Sequence, residues 1–288
     1  MIRLDAATVL LQWATGGLAF LWVTTRRREL GIGYGWLLRS VFGVIAVCAF
    51  VAGLMVDPDP FRDLCALATA AATTVALVVS VVRRRAGVAG VMARRRRRRE
   101  RVAAMVGDDV VAKGGPDHAV GPEPAEFAPS MDLVAPLIGA VGLVAAASAA
   151  GGPLALSIAR TLVGAAFLGA VSDAMLLGHW YLVQPGLGRG PLLELNRWLA
   201  LTWPLEVALL LWPTGMFSVL SGSVDDGWGG TLGWFWVSCA VTTLVLTAVT
   251  RAALQEKAYS AVMAATGLLY LAILTAFGTD LVARAVLA

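Results

Sequence analysis

Charge is scarce in this chain, and its scarcity is uneven. Only 15% of the 288 residues are Asp, Glu, Lys or Arg, against 58% apolar, where an average soluble domain carries about 25% charged residues. The mean hydropathy is +0.76. The charges gather in short segments and leave several runs of about 20 residues nearly free of them, the length a helix needs to cross a hydrocarbon core of about 30 Å. A soluble globular fold is excluded, and the chain reads as an all-α integral membrane protein.

Other scarcities narrow the chemistry. Histidine occurs twice, as His118 and His179, which excludes a bis-histidine haem in the bilayer and leaves His179 as at most a single axial ligand. The three cysteines, Cys48, Cys65 and Cys239, lie far apart with no CxxC pair. Zinc and iron–sulfur sites therefore lack ligands, no metal is expected, and the thiols read as small hydrophobes. No GxSxG-type nucleophile signal is present. No nucleotide-binding motif is present either, so transport driven by the chain's own nucleotide hydrolysis is excluded. Gly31-Ile32-Gly33-Tyr34-Gly35 has the glycines of a phosphate loop but follows a membrane span rather than a strand, and reads as a flexible turn.

The charge that is present reports topology. The net charge is +4, yet ten arginines fall between Arg83 and Arg101, including the unbroken run Arg94, Arg95, Arg96, Arg97, Arg98 and Arg99. Positive charge between apolar spans marks the cytoplasmic side and attracts anionic headgroups, so this run is expected to contact lipid, and nucleic acid is not an expected partner. Asp5 offsets Arg3, no small-residue cleavage site is evident, and Arg26-Arg27-Arg28 follow the first apolar run. That pattern predicts a retained first helix with its N-terminus outside.

Eight spans follow, at about 6–25, 35–56, 62–82, 132–150, 156–181, 196–219, 231–250 and 259–281. Both termini fall outside, and nineteen of the 23 basic residues fall in inner segments. The organisation is therefore an eight-transmembrane-helix bundle in three parts. Residues 1–82 carry three helices, 83–131 form a cytoplasmic Arg-rich loop whose Pro- and Gly-rich second half is expected to be disordered, and 132–288 carry five helices. This last part holds seven of the ten tryptophans.

Two acids, Asp173 and Glu206, interrupt apolar spans there. An ionisable group at membrane depth costs roughly 2.5–3.5 kcal/mol, so each is expected to have a partner, a cavity or a role. With the fifth span ending near Tyr181 and the sixth beginning near Asn196, both acids fall at similar depth on consecutive helices. They are therefore expected to share one polar pocket or proton relay. Pro204 and Pro213 are expected inside the sixth span, freeing carbonyls near Glu206. His179, Trp180, Tyr181, Asn196, Arg197 and Trp198 are the ligand-binding candidates, with His179, Tyr181, Asn196 and Arg197 ringing an inner mouth, although an aromatic interface belt is the readier account of the first three. Arg160 and Asp280 read as snorkelling groups near the outer boundary, and Asp280 and Arg284, spaced i,i+4, as a pair.

The specific function this suggests is a quinone- and proton-handling membrane subunit of a respiratory or redox complex, with quinone as the expected ligand. One alternative is a proton-coupled secondary transporter or channel for a small solute. Another is a non-catalytic accessory or assembly protein. The expected location is the plasma membrane, as a multi-pass protein. The expected partners are the lipid bilayer, anionic lipids at the arginine run and other subunits of a membrane complex.

Overall fold

Caps and prolines set the helix ends. In the computed structural model, which describes residues 4–27, 29–83, 127–184, 187–212, 215–256 and 258–287, α1 (Ala6–Thr25) starts where the Asp5 carboxylate accepts the amides of Ala7 and Thr8, the usual role of an acidic N-cap. Asp59 caps α3 (Pro60–Val82) in the same way, ahead of a proline at the first helical position, where its missing N–H has no cost. Between them α2 spans Ile32–Met55. A 3-10 turn over Pro129–Leu133 leads into α4 (Val134–Ala149), followed by α5 (Leu154–Val183), α6 (Gly190–Leu211), the short α7 (Met216–Leu220), α8 (Thr231–Gln255) and α9 (Tyr259–Leu287). No strand occurs among the described residues. The arginine run 94–99, His118 and Pro213 lie outside them.

Seven helices are long and apolar enough to cross a membrane: α1, α2, α3, α4 with its 3-10 lead-in, α5, α8 and α9. The eighth long helix, α6, carries Glu194, Arg197 and Glu206 within 22 residues and falls short of that standard. Its boundaries also differ from those expected. It begins at Gly190 rather than 196, because Pro191 is a favourable first-turn residue. It stops at Leu211 rather than 219, because Trp212 precedes a proline and is held extended, at φ −110° and ψ 154°. Pro213 is therefore not inside the helix, whereas Pro204 is. The glycine-rich 31–35 segment is likewise not a flexible turn. It forms the N-cap and first turn of α2, where Gly33 admits the Trp180 ring and Gly35 leaves room for Arg39.

The 30-residue α5 joins two groups of helices. On one side, α1 packs against α5 within a ring completed by α2, α3 and α4, and on the other α5 meets α6 and α9, with α8 behind them. The α1–α5 crossing is close because both helices present glycine: any side chain at Gly16 would collide with the Ala165 carbonyl, and one at Gly169 with the Gly16 backbone. Small residues allow such backbone approach in membrane bundles, where apolar side chains gain little by leaving lipid for protein.

The pattern of burial departs from that of a soluble protein, with apolar side chains outward and charged groups among the buried ones. Outward positions of α2 and α8 carry Val44, Val47, Val51, Leu54, Trp234, Val241 and Val245, while Gln12, Arg39, Asp63, Arg160, Asp173, Glu206, Asp280 and Arg284 are buried. The molecule is a helical bundle of the polytopic membrane type.

Candidate functional site: carboxyls buried in the bundle

Asp173 and Glu206 are both fully buried, at 0% exposure. Neither carboxyl finds a hydrogen-bond donor among the described residues. They do not share a pocket. Arg160 of α5 donates through Nε to the Leu209 carbonyl at 2.8 Å and through Nη2 to the Trp212 carbonyl at 2.7 Å, which sets the register of α5 against α6. Glu206 lies three residues from Leu209, whereas Asp173 lies thirteen from Arg160. Asp173 is therefore roughly 15 Å further towards the end of the bundle at which α3 stops. The expected match in depth fails because α6 begins at Gly190 rather than Asn196, with an added turn of helix that carries Glu194.

Glu206 faces an ionic cluster instead. Its strongest charged neighbours are Asp280 and Arg284 of α9, followed by Arg160. Within the cluster, Arg284 Nε donates to Asp280 Oδ2 at 2.8 Å and Gln12 Nε2 to Asp280 Oδ1 at 3.3 Å, while the Arg284 guanidinium also donates to the Gln12 carbonyl oxygen. Gly164 of α5 makes this possible: a methyl there would lie 3.0 Å from Asp280 Oδ1 and would overlap the Gln12 amide. The i,i+4 pairing of Asp280 with Arg284 is formed. Snorkelling is not: Arg160, Asp280 and Arg284 all turn into the bundle, each at most 3% exposed.

The cluster communicates with one end of the molecule. A cavity of about 250 Å³ there is lined by Asp5, Thr8, Arg62, Thr161 and Arg284, among others. On α1, Asp5, Thr8, Gln12 and Thr15 are all buried, and their spacing of three, four and three residues places them on one face. A stripe of polar side chains thus runs from the cavity past Arg284 into the bundle.

Asp173 belongs to a second polar group. Its neighbour Ser172 accepts the Trp13 indole N–H at 2.8 Å, and Asp173 is the strongest charged neighbour of the buried Tyr34.

The other candidates disperse. His179 is exposed on α5 and meets Tyr270 of α9, with Nδ1 3.2 Å from the phenol oxygen. Trp180 bonds Gln184 at 3.1 Å and leans on Tyr34, with ring centroids 6.1 Å apart. Tyr181 is buried and donates to the Gly188 carbonyl. Asn196 is buried and donates to the Thr247 carbonyl at 3.1 Å. Arg197 and Trp198 are exposed on α6, with Trp198 edge-on to Phe20 at 5.9 Å. The expected ring of His179, Tyr181, Asn196 and Arg197 is not assembled, because helical phase puts His179 on the α9 side of α5 and away from α6.

Three ion-paired groups were missed. Arg39 forks onto Asp132, Arg62 joins Asp5 and Asp63, and Arg26 meets Glu194. Each pair except Arg62–Asp63 joins residues distant in sequence, so spacing gave no signal; the one available clue was a charge set one or two turns inside a span. The chain matches no known protein family, no curated protein and no solved structure.

Proposed function

We propose that this chain is a proton-translocating protein of the plasma membrane, a proton-coupled transporter or channel, in which Glu206 and Asp173 accept and release protons. In this reading α6 is the eighth span, both termini are outside, and the cavity beside Arg284 opens to the exterior. The observation that carries it is the pair of fully buried carboxyls without hydrogen-bond donors, one of them joined through Asp280, Arg284 and Gln12 to a polar cavity. Ionisable groups in membrane helices are rare and mark ion or proton pathways when they face the bundle interior. The α1 stripe and the Asp173–Tyr34 group supply hydroxyl, amide and phenol side chains at intermediate depths. This reading is preferred to a quinone-handling subunit because the residues expected to line a quinone site lie on separate faces.

The test is proton entry into vesicles that contain the purified protein and a trapped pH dye, driven by a potassium diffusion potential. Wild type is expected to acidify the lumen faster than empty vesicles do, and Glu206→Gln and Asp173→Asn each to reduce that rate by at least about tenfold. A wild-type rate equal to that of empty vesicles, or two folded variants with unchanged rates, overturns the proposal.

A further inference from the structure

A different part of the molecule has the chemistry of a lipid site. Between α6 and α8 lies a groove of about 440 Å³, with Arg197 and Arg251 on opposite helices and Asn196, Ala200, Leu201 and Leu244 among its walls. Arg26, Arg27, Arg39, Arg62, Arg160 and Arg284 all have carboxylate or carbonyl partners. Among the described residues Arg197 and Arg251 have none, and both are exposed. Two guanidiniums without a counter-charge across one groove call for an anion, and the planar guanidinium fork matches phosphate geometry.

The vertical order of the groove says what kind of anion. Arg251 lies four residues before the end of α8 and Arg197 seven after the start of α6, about 6 Å and 10 Å from those helix ends. From there towards the middle of the bundle the wall turns apolar, through Ala200 and Leu201 on one side and Leu244 on the other, and both leucines are exposed. Cations at headgroup depth followed inward by hydrocarbon is the profile of an amphiphile. Asn196 closes the wall at this level, with its amide nitrogen bound to the Thr247 carbonyl and its Oδ1 buried.

We propose that this groove binds one anionic phospholipid, with the phosphodiester between Arg197 and Arg251 and an acyl chain along Ala200, Leu201 and Leu244. The site is separate from the buried carboxyls and does not rest on the proton-translocating reading.

The experiment is native mass spectrometry of the whole protein in a neutral detergent, with added phosphatidylglycerol, phosphatidylcholine or menaquinone as probes. Wild type is expected to retain one phosphatidylglycerol in preference to phosphatidylcholine. Arg197→Gln with Arg251→Gln is expected to weaken that retention roughly thirty-fold, from about 1 kcal/mol for each basic residue at the headgroup level. Arg27→Gln, which removes a charge at the same end, is expected to leave it unchanged. Equal loss in Arg27→Gln means bulk attraction only and overturns the site. So does unchanged retention in the folded double variant, or retention of menaquinone in place of phosphatidylglycerol.

Discussion

The ion pair between Arg39 and Asp132 should dominate the stability of the first helical group, and its geometry allows the effect to be sized. Arg39 Nε and Nη2 each donate to a different oxygen of Asp132 at 2.8 Å, while Ser80 and Thr25 supply further hydrogen bonds at 3.3 Å and 3.2 Å. The Phe127 ring lies 4.6 Å from the guanidinium. The side chains are 3% and 1% exposed, so removing one charge leaves the other with no access to water. Breaking such a pair costs about 3–5 kcal/mol, whereas replacing both members with apolar groups of similar volume is often nearly neutral. Asp132→Asn is therefore expected to lose about 3–5 kcal/mol. The double variant Arg39→Met with Asp132→Leu should lose distinctly less, limited to the hydrogen bonds of Ser80 and Thr25 at about 1 kcal/mol each. Unfolding titrations in mixed detergent micelles measure both. A loss below about 1 kcal/mol for Asp132→Asn, or a double variant no better than the single, would refute the reasoning.

Two further predictions follow from local geometry. Gly16→Leu should prevent the α1–α5 crossing, because any side chain there meets the Ala165 carbonyl; a loss above about 3 kcal/mol is expected. Gly267→Ala, where nothing lies within 4 Å, should change stability by less than about 1 kcal/mol, and an equal effect at both positions would discount the crossing. Asp226, in the exposed turn before α8, accepts amides from Gly230 at 2.8 Å and from Trp228 and Leu232 at 2.9 Å. These bonds, that from Gly230 foremost, hold its carboxyl below the ordinary range. The turn is thus stabilised at pH above the unfolded value of about 3.9, and that stabilisation is lost as pH falls through the lower folded value. Amide shifts of Gly230 and Leu232 should titrate below pH 4 or so and stop titrating in Asp226→Asn; a midpoint at the ordinary value would contradict this.

The fold was more legible than the site, for physical reasons. A run of 20 apolar residues has few ways to be satisfied in lipid other than as a helix, so composition alone locates the starts of the seven apolar helices to within about three residues, although α8 and α9 run on past the expected 250 and 281 to Gln255 and Leu287. The exception, α6, is the helix that carries polar residues for inward contacts; its first turn, with Glu194, reads as a loop because Arg26 and Thr247, the partners of Glu194 and Asn196, are remote in sequence. Because α6 begins at Gly190 rather than near Asn196, Glu206 sits further from that end of the helix than the expected start implies, and the expected Asp173–Glu206 pocket does not form. Asp173 and Glu206 stood out correctly as buried acids, since the cost of burial is a local property. Their neighbours did not, because the Gln12–Asp280–Arg284 cluster exists only once Gly164 lets α1 and α9 close around α5.

The claim that Glu206 and Asp173 exchange protons is tested most directly by infrared difference spectroscopy of the reconstituted protein across a pH step, in the carboxyl stretching region. Two pH-dependent carboxyl bands are expected, one lost in Glu206→Gln and the other in Asp173→Asn, each shifting in heavy water. A carboxyl region that is the same in wild type and both folded variants would contradict the account.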